Sequence, residues 1–85
     1  MSDNNQKILR FTASWCGPCK MLAKNLEEAA LGLPIEVIDV DVNKELAQQY
    51  EVRSIPTLIM KNGISESSRL VGLQTTTNIK LWALQ

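Results

Sequence analysis

The chain has 85 residues, of which 45% are apolar, and its nine basic and nine acidic side chains cancel. This apolar fraction is ordinary for one globular domain and too high for a disordered chain. The balanced charge gives no electrostatic reason to expect nucleic acid or an anionic membrane as a partner. The absence of histidine excludes histidine-based nucleophiles, general bases and metal sites. Two cysteines are too few for a tetrahedral zinc site within one chain, so covalent chemistry is expected from the cysteine pair.

The N-terminal residues and the hydropathy pattern bear on location. Residues 1–6 are polar and lack the apolar core of a signal peptide, and no apolar run approaches the length that spans a bilayer. We therefore expect a single domain over residues 1–85 with a flexible N-terminus over residues 1–6, no membrane partner and a cytoplasmic location. Thiols are kept largely reduced in the cytoplasm.

The first predicted strand and helix surround the cysteines. Lys7–Ala13 is a mostly apolar run, which predicts a strand in the middle of a sheet. A helix is predicted from about Gly17 to Leu31, with Gly32 as its C-terminal cap and Pro34 preventing its continuation. The apolar stripe predicted for this helix consists of Met21, Leu22, Leu26, Ala29 and Ala30.

The middle of the chain predicts a second strand and a short helix. Ile35–Val42 is rich in β-branched residues, which favours a strand. Asn43 can cap a short helix that ends near Tyr50.

A hairpin and a final helix complete the chain. Thr57–Lys61 and Ser67–Val71 are predicted strands, and Asn62-Gly63 between them is a strong hairpin signal because both turn positions need a positive φ. The last helix is predicted to begin near the threonines at 75 to 77 and to bury Ile79, Trp82 and Ala83.

The resulting element order is β-α-β-α-β-β-α. A strand–helix–strand start requires a right-handed crossover and a parallel pair of strands, whereas the hairpin supplies an antiparallel pair. We therefore predict an α/β fold with a four-stranded mixed sheet flanked by three helices.

Cys16 and Cys19 lie where the first predicted strand has ended and the helix begins. Unpaired backbone N–H groups and the positive end of the helix dipole favour a thiolate at Cys16, and Cys19 lies one turn further on the same helix face. Gly17 has no side chain to obstruct a substrate, Pro18 stiffens the first helical turn, and Trp15 offers a flat apolar surface. The arrangement predicts thiol–disulfide exchange, in which the Cys16 thiolate forms a mixed disulfide that Cys19 resolves.

Other interpretations of the same pair remain open. Nearby cysteines can be small buried residues, a structural disulfide, or half of a metal or iron–sulfur site shared between two chains. The strand, tryptophan, Gly-Pro dipeptide and helix around the pair favour the redox interpretation.

The segment FTASWCGPCK, Phe11–Lys20, resembles the active-site segment of the thioredoxin family. The resemblance continues through Val40–Asn43, Val52–Thr57, Lys61–Gly63 and Val71-Gly72. It implies a minimal thioredoxin-like fold and a protein-disulfide reductase, an electron carrier that acts on disulfide-containing proteins. A thioredoxin reductase or a similar donor would reduce it again. We expect no cofactor besides the redox-active Cys16–Cys19 disulfide, and a monomer by default.

The resemblance also implies a substrate surface. Pro56 would follow a cis peptide bond and lie against the cysteines, so that the backbone at Ile55 could pair with an extended peptide. The alternative is an ordinary trans proline at the start of an edge strand. The shallow apolar surface that receives the substrate would consist of Trp15, Gly17, Pro18, Ile55, Pro56 and Gly72.

Two departures from the family pattern bear directly on the fold and on the site. Family members usually begin with an additional strand and helix, for which this sequence is too short. The buried acid of the family's central strand corresponds to Arg10, and its lysine partner corresponds to Val37. One hypothesis is that Arg10 pairs with Asp39 and modulates the cysteines; the other is that Arg10 extends to solvent.

Two alternative functions remain at this point. The first is a glutaredoxin-like reductase that uses glutathione, although Gly17-Pro18 replaces the tyrosine usual between the cysteines of that family. The second is a binding or assembly module that uses the surface around Trp15 and would keep its function if both cysteines were replaced by serine.

Overall fold

The computed structural model describes residues 5–85 and confirms the predicted order of elements. The strands are β1 (Gln6–Thr12), β2 (Ile35–Asp39), β3 (Thr57–Asn62) and β4 (Ser65–Val71), and the helices are α1 (Gly17–Ala29), α2 (Lys44–Gln49) and α3 (Thr76–Ala83). Within the described range, no helix has the length and apolarity needed to cross a membrane.

The sheet has four strands in the order β2-β1-β3-β4. β1 is parallel to β2 and antiparallel to β3, and β3 is antiparallel to β4. The predicted crossover and hairpin are therefore both present, and the predicted mixed sheet flanked by three helices is confirmed. Because β1 has a neighbour on each side, the loop that follows it begins from a fixed point in the middle of the sheet.

Both faces of the sheet are packed, which holds β1 from above and below. The core between the sheet and helices α1 and α3 consists of Ile8, Leu22, Leu26, Ala29, Leu58, Met60, Ile79 and Trp82. The opposite face buries Leu9, Phe11, Ile38 and Ile59, against which Leu46, Tyr50 and neighbouring apolar residues pack. Full burial of a large aliphatic side chain contributes about 1.5–3 kcal/mol to folding, so these two layers anchor the element that presents the cysteines.

Helix α1 is two residues shorter than predicted and buries a narrower stripe. Ala30, rather than Gly32, occupies the left-handed cap position, with a φ of 49°, and its N–H donates to the carbonyl of Glu27. Met21 is 58% exposed, so its predicted place in the core is wrong, and Ala30 is exposed as well. The residues that α1 buries are Cys19, Leu22, Leu26 and Ala29, spaced by three or four residues as one face of a helix requires.

Strand β2 ends at Asp39 instead of continuing to Val42. The chain turns there because the N–H groups of Val42 and Asn43 both donate to the Asp39 carbonyl, over 3.2 and 2.9 Å. Asn43 precedes α2 as predicted, but its side chain makes no capping bond to the helix and donates instead to the same carbonyl.

The β3–β4 hairpin turns one residue later than predicted. Asn62 pairs with Ser65, which leaves Gly63 and Ile64 as the two-residue loop. Of the two residues predicted to need a positive φ, only Gly63 has one, at 67°. An irregularity between Met60 and Lys61 shifts the register of the hairpin by one residue next to this turn.

The prediction of a flexible N-terminus can be compared with the structure only in part, because residues 1–4 lie outside the described residues. For Gln6 it is wrong, since Gln6 begins β1 and pairs with Asn62. The carbonyl of Asn5 accepts the N–H of Gly63 over 3.0 Å, which extends this pairing by one step.

Candidate active site

Cys16 caps the N-terminus of the helix that follows the central strand. Its backbone is extended, with φ −90° and ψ 108°, and its sulfur accepts the N–H of Cys19 over 3.2 Å. An N-cap side chain satisfies one of the unpaired N–H groups of the first helical turn. When the disulfide is reduced, the same N–H and the helix dipole favour negative charge on the Cys16 sulfur.

Cys19 is the buried member of the pair. The two cysteines form a disulfide, and their Cα atoms are 5.3 Å apart, within the range that a disulfide needs. Cys19 has no exposed surface, whereas Cys16 retains 4%. A substrate disulfide that approaches from solvent therefore meets the sulfur of Cys16 first.

The cysteines lie in an apolar setting. Ala13, Cys16 and Cys19 form one buried cluster, and Val40 and Ile55 pack against it. Val40 follows β2 and Ile55 precedes β3, so the segments next to both strands that flank β1 each pack a side chain against this cluster. This packing brings Ile55 to the cysteines, where the family resemblance places it.

The Ile55–Pro56 peptide bond is cis, as the family resemblance implies, and Pro56 is buried. The carbonyl of Pro56 accepts the N–H of Gly72 over 2.8 Å, which joins the end of β4 to the start of β3. Gly72 has a φ of 90°, a conformation in which a side chain is strained. Ile55, Pro56 and Gly72 thus lie together, and Ile55 packs against the cluster that contains the cysteines.

Gly17 and Pro18 are exposed beside Cys16. A methyl group built on Gly17 would meet no atom within 4 Å, so the space above it is open to a substrate. This placement is compatible with the role that the sequence analysis gave to both residues.

Trp15 is 70% exposed, and its indole N–H donates to Oδ2 of Asp41 over 2.8 Å. Asp41 is not among the predicted site residues, although it lies in the segment Val40–Asn43 that matches the family. The carboxylate of Asp39 accepts the N–H of Asp41 over 2.8 Å and so fixes the turn that presents it. Asp39 therefore acts on Asp41 and, through it, on Trp15.

The hypothesised pair between Arg10 and Asp39 is not present in the structure. Arg10 faces α1 and α3 from β1, at the register of Leu58 on one side and Val37 on the other. The two described ion pairs are Lys7–Glu36 and Arg69–Glu66, and neither involves Arg10. Partial burial lowers the pKa of the Arg10 guanidinium from its ordinary value, while part of the side chain still reaches solvent. This geometry fits the second hypothesis, an arginine that extends toward water.

Among residues 5–85, no group of three histidine, cysteine, aspartate or glutamate side chains is placed to hold a metal ion. The two cysteine sulfur atoms of the site are bonded to each other in the Cys16–Cys19 disulfide.

The model of the thioredoxin family matches residues 1–85. The chain belongs to the thioredoxin family. It is 43% identical over 76 residues to the thioredoxin of Mycobacterium tuberculosis H37Rv, and the aligned segment covers 85% of this chain and 66% of that protein. It is also 43% identical over 76 residues to the bifunctional thioredoxin reductase/thioredoxin of Mycobacterium leprae, and that aligned segment covers 17% of the longer protein. The chain thus spans less than two thirds of the length of these relatives.

Solved structures give the same family. A point mutant of the thioredoxin of Halobacterium salinarum superposes with a TM-score of 0.85 at 37% identity, covering 95% of this chain and 74% of that one. The thioredoxin family and the Cys16–Cys19 disulfide together support thiol–disulfide oxidoreductase function.

Proposed function

We propose that this thioredoxin-family chain reduces disulfide bonds in other proteins, with Cys16 as the nucleophile and Cys19 as the resolving thiol. The observation that carries the proposal is the unequal placement of the two sulfur atoms. Cys16 caps α1 and accepts an N–H at its sulfur, whereas Cys19 is fully buried behind it.

In the first step, the Cys16 thiolate attacks one sulfur of a substrate disulfide. A new bond joins Cys16 to that sulfur, the substrate S–S bond breaks, and the other substrate sulfur leaves as a thiolate that takes a proton from water. The N–H of Cys19 and the dipole of α1 favour the attacking thiolate, because both place positive charge at its sulfur.

In the second step, Cys19 loses its proton and attacks the Cys16 sulfur of the mixed disulfide. The Cys16–Cys19 bond forms again and the second substrate sulfur leaves, so two electrons have passed from the chain to the substrate. The 5.3 Å separation of the Cα atoms places the two sulfurs within bonding reach. The step is intramolecular, which removes the entropic cost of bringing two molecules together.

The surface around Cys16 fits an extended segment of protein. Among the described backbone hydrogen bonds outside helices and strands, none uses the N–H or the carbonyl of Ile55, so a peptide can pair there as an added strand. Trp15, Val42 and Leu73 are exposed apolar side chains in three different loops. We propose that they contact the substrate residues that flank its cysteine.

The reaction needs a donor that reduces the Cys16–Cys19 disulfide after each turnover. We propose a thioredoxin reductase, since the Mycobacterium leprae relative carries both activities in its name. No cofactor beyond the disulfide is needed for either step. The proposal includes that the chain acts as a monomer. It also places the chain in the cytoplasm, since that compartment keeps protein thiols reduced.

Reduction of insulin by dithiothreitol tests the proposal. The wild-type chain is expected to accelerate precipitation of the insulin B chain well beyond the dithiothreitol background, while Cys16→Ser and Cys19→Ser are expected to fall to that background. Ser14→Ala, a similarly small change in the same loop, serves as the control and should retain activity. A wild-type rate equal to the background would contradict the proposal, and the assay would then be repeated with glutathione as donor.

A further inference from the structure

Three hydrogen bonds join the loop between β4 and α3, residues 72–75 and called here the Gly72 loop, to parts of the chain that precede it. The N–H of Gly72 donates to the Pro56 carbonyl over 2.8 Å. The side-chain amide of Gln74 donates to the Val71 carbonyl over 3.0 Å. The third bond comes from α1, where Nδ2 of Asn25 donates to the Gln74 carbonyl over 2.9 Å.

The third bond connects the Gly72 loop to the helix that carries both cysteines. Asn25 lies six residues after Cys19, so the rise of an α-helix places it about 9 Å further along the axis of α1. Its side chain is partly buried and points across to the loop, 49 residues away in sequence. Asparagine is a poor helix former, so its position inside α1 is not explained by helix stability.

Further contacts at the same place strengthen the connection between α1 and α3. Oγ1 of Thr76 lies 3.4 Å from the Asn25 carbonyl, and Oγ1 of Thr75 accepts the N–H of Asn78 over 3.0 Å at the start of α3. The end of the Gly72 loop is therefore fixed to α1 on one side and to the first turn of α3 on the other. Leu73 remains 45% exposed between these fixed points.

We propose that Asn25 is a positioning residue, which holds the Gly72 loop in the place relative to Cys16 that a protein substrate requires. The inference rests on the proposed function, because it assigns Asn25 to the substrate surface of that reaction. A loop held in its binding conformation does not have to be ordered when the substrate binds, and this ordering would otherwise weaken binding. Small disulfides reach the Cys16 sulfur without contacting the loop and do not depend on Asn25.

The test compares Asn25→Leu, which removes the donor at similar volume, with the wild type and with Gln49→Leu. Gln49→Leu is the matched control, since it makes the same change of an amide to leucine on α2, away from the Gly72 loop. Asn25→Ser is the second variant, because its side chain is too short to reach the Gln74 carbonyl. Steady-state reduction of insulin and of 5,5′-dithiobis(2-nitrobenzoic acid) is measured for all four proteins, together with hydrogen exchange of the backbone amides.

For Asn25→Leu and Asn25→Ser we expect KM for insulin to rise roughly fivefold with kcat unchanged. This is the usual size of the effect on binding when one hydrogen bond is lost. The rate with the small disulfide should stay at the wild-type value, and amide exchange should become faster in residues 72–75 while remaining unchanged in β1 and β3. Gln49→Leu should match the wild type in every measurement.

An unchanged KM for insulin in both Asn25 variants would overturn the inference and leave the proposed function standing. Equal losses with insulin and with the small disulfide would also overturn it, since Asn25 would then support the whole site rather than the Gly72 loop. A wild-type chain that fails to reduce insulin would overturn the proposed function, and this inference with it.

Discussion

The indole N–H of Trp15 donates to the carboxylate of Asp41 over 2.8 Å, and this bond joins the loop before α1 to the turn after β2. Trp15 precedes Cys16 directly, and 70% of it is exposed. Fixing a large exposed apolar side chain favours substrate binding, because the side chain then does not have to be ordered when the substrate binds.

Replacement of Asp41 by alanine is expected to release Trp15 and weaken the binding of protein substrates. We expect KM for insulin to rise about fivefold, which corresponds to the net free energy of about 1 kcal/mol for one such hydrogen bond. Glu27→Ala, which removes an exposed carboxylate of α1 with no described side-chain hydrogen bond, serves as the control. Equal KM values for Asp41→Ala and the wild type would show that the bond does not contribute to binding.

Lys61 is expected to stabilise the end of the sheet farthest from the cysteines. Lys61 is buried as a whole residue, and its Nζ donates to the hydroxyl of Tyr50 over 2.9 Å and to the carbonyl of Ile64 over 2.8 Å. Lys61→Met leaves both acceptors without this donor and should lower the free energy of unfolding by about 1–3 kcal/mol. Tyr50→Phe removes one acceptor and should cost less, about 1 kcal/mol.

Urea denaturation monitored by circular dichroism measures both changes, with the exposed Lys24→Met as the control. Lys24→Met should remain within about 0.5 kcal/mol of the wild type, as is usual for a surface substitution. Equal stability of Lys61→Met and Lys24→Met would contradict the assignment of a structural role to Lys61.

Arg10 is expected to be dispensable for stability. Methionine keeps the aliphatic contacts of Arg10 and removes a charge that is partly buried, so Arg10→Met should leave the free energy of unfolding unchanged or raise it by up to about 1 kcal/mol. In a double-mutant cycle with Asp39→Asn, the coupling energy should stay below about 0.3 kcal/mol, because the two side chains do not form an ion pair. A coupling above about 1 kcal/mol would restore the hypothesis of an Arg10–Asp39 pair.

The Glu66–Arg69 pair predicts a pH dependence of stability. Nε and Nη2 of Arg69 donate to the two carboxylate oxygens of Glu66 over 2.6 and 2.7 Å, and these bonds lower the pKa of Glu66 below its ordinary value of 4.5. A lowered folded pKa means that the folded chain binds fewer protons than the unfolded chain as the pH falls past 4.5. The contribution of the pair is therefore complete above this pH and is lost as the pH falls through the lowered pKa.

Comparison of Glu66→Gln with the wild type across pH tests this assignment. At pH 7 the variant should be less stable by about 0.5 kcal/mol, the usual magnitude for a partly exposed pair on one strand. The difference should begin to shrink as the pH falls below 4.5 and should vanish once the pH lies below the lowered pKa of Glu66, where the wild-type carboxylate is protonated as well. A difference that does not shrink as the pH falls below 4.5 would assign the effect to packing rather than to charge.

The sequence predicts the sheet and the cysteine site well because each depends on local patterns. Periodic apolar residues predict α1 and α3, and the position of Cys16 before a helix predicts that N–H groups of the first turn favour its thiolate; the structure shows the Cys19 N–H donating to its sulfur. The errors lie where contacts between residues far apart in the sequence determine burial or the position of a turn. Met21 has the spacing of a core residue and is exposed, and Asn62-Gly63 has the composition of a turn that the pairing of Asn62 with Ser65 displaces.

The polar contacts of the site were the least predictable part. The hydrogen bonds from Trp15 to Asp41 and from Asn25 to the Gln74 carbonyl join residues 26 and 49 positions apart, and no spacing rule within one helix or strand connects them. The sequence suggested Arg10 as the partner of Asp39. The observed partner of Asp39 is the N–H of Asp41, because the chain turns directly after β2 and brings that N–H to its carboxylate.

Capture of a mixed disulfide distinguishes the roles of the two cysteines. Reduced Cys19→Ser and reduced Cys16→Ser are each mixed with a protein substrate that contains a disulfide, quenched with acid and analysed by intact mass and peptide mapping. We expect a stable adduct through Cys16 in Cys19→Ser and none through the buried Cys19 in Cys16→Ser. An adduct that forms through Cys19 with equal or greater yield would contradict the assignment of Cys16 as the nucleophile.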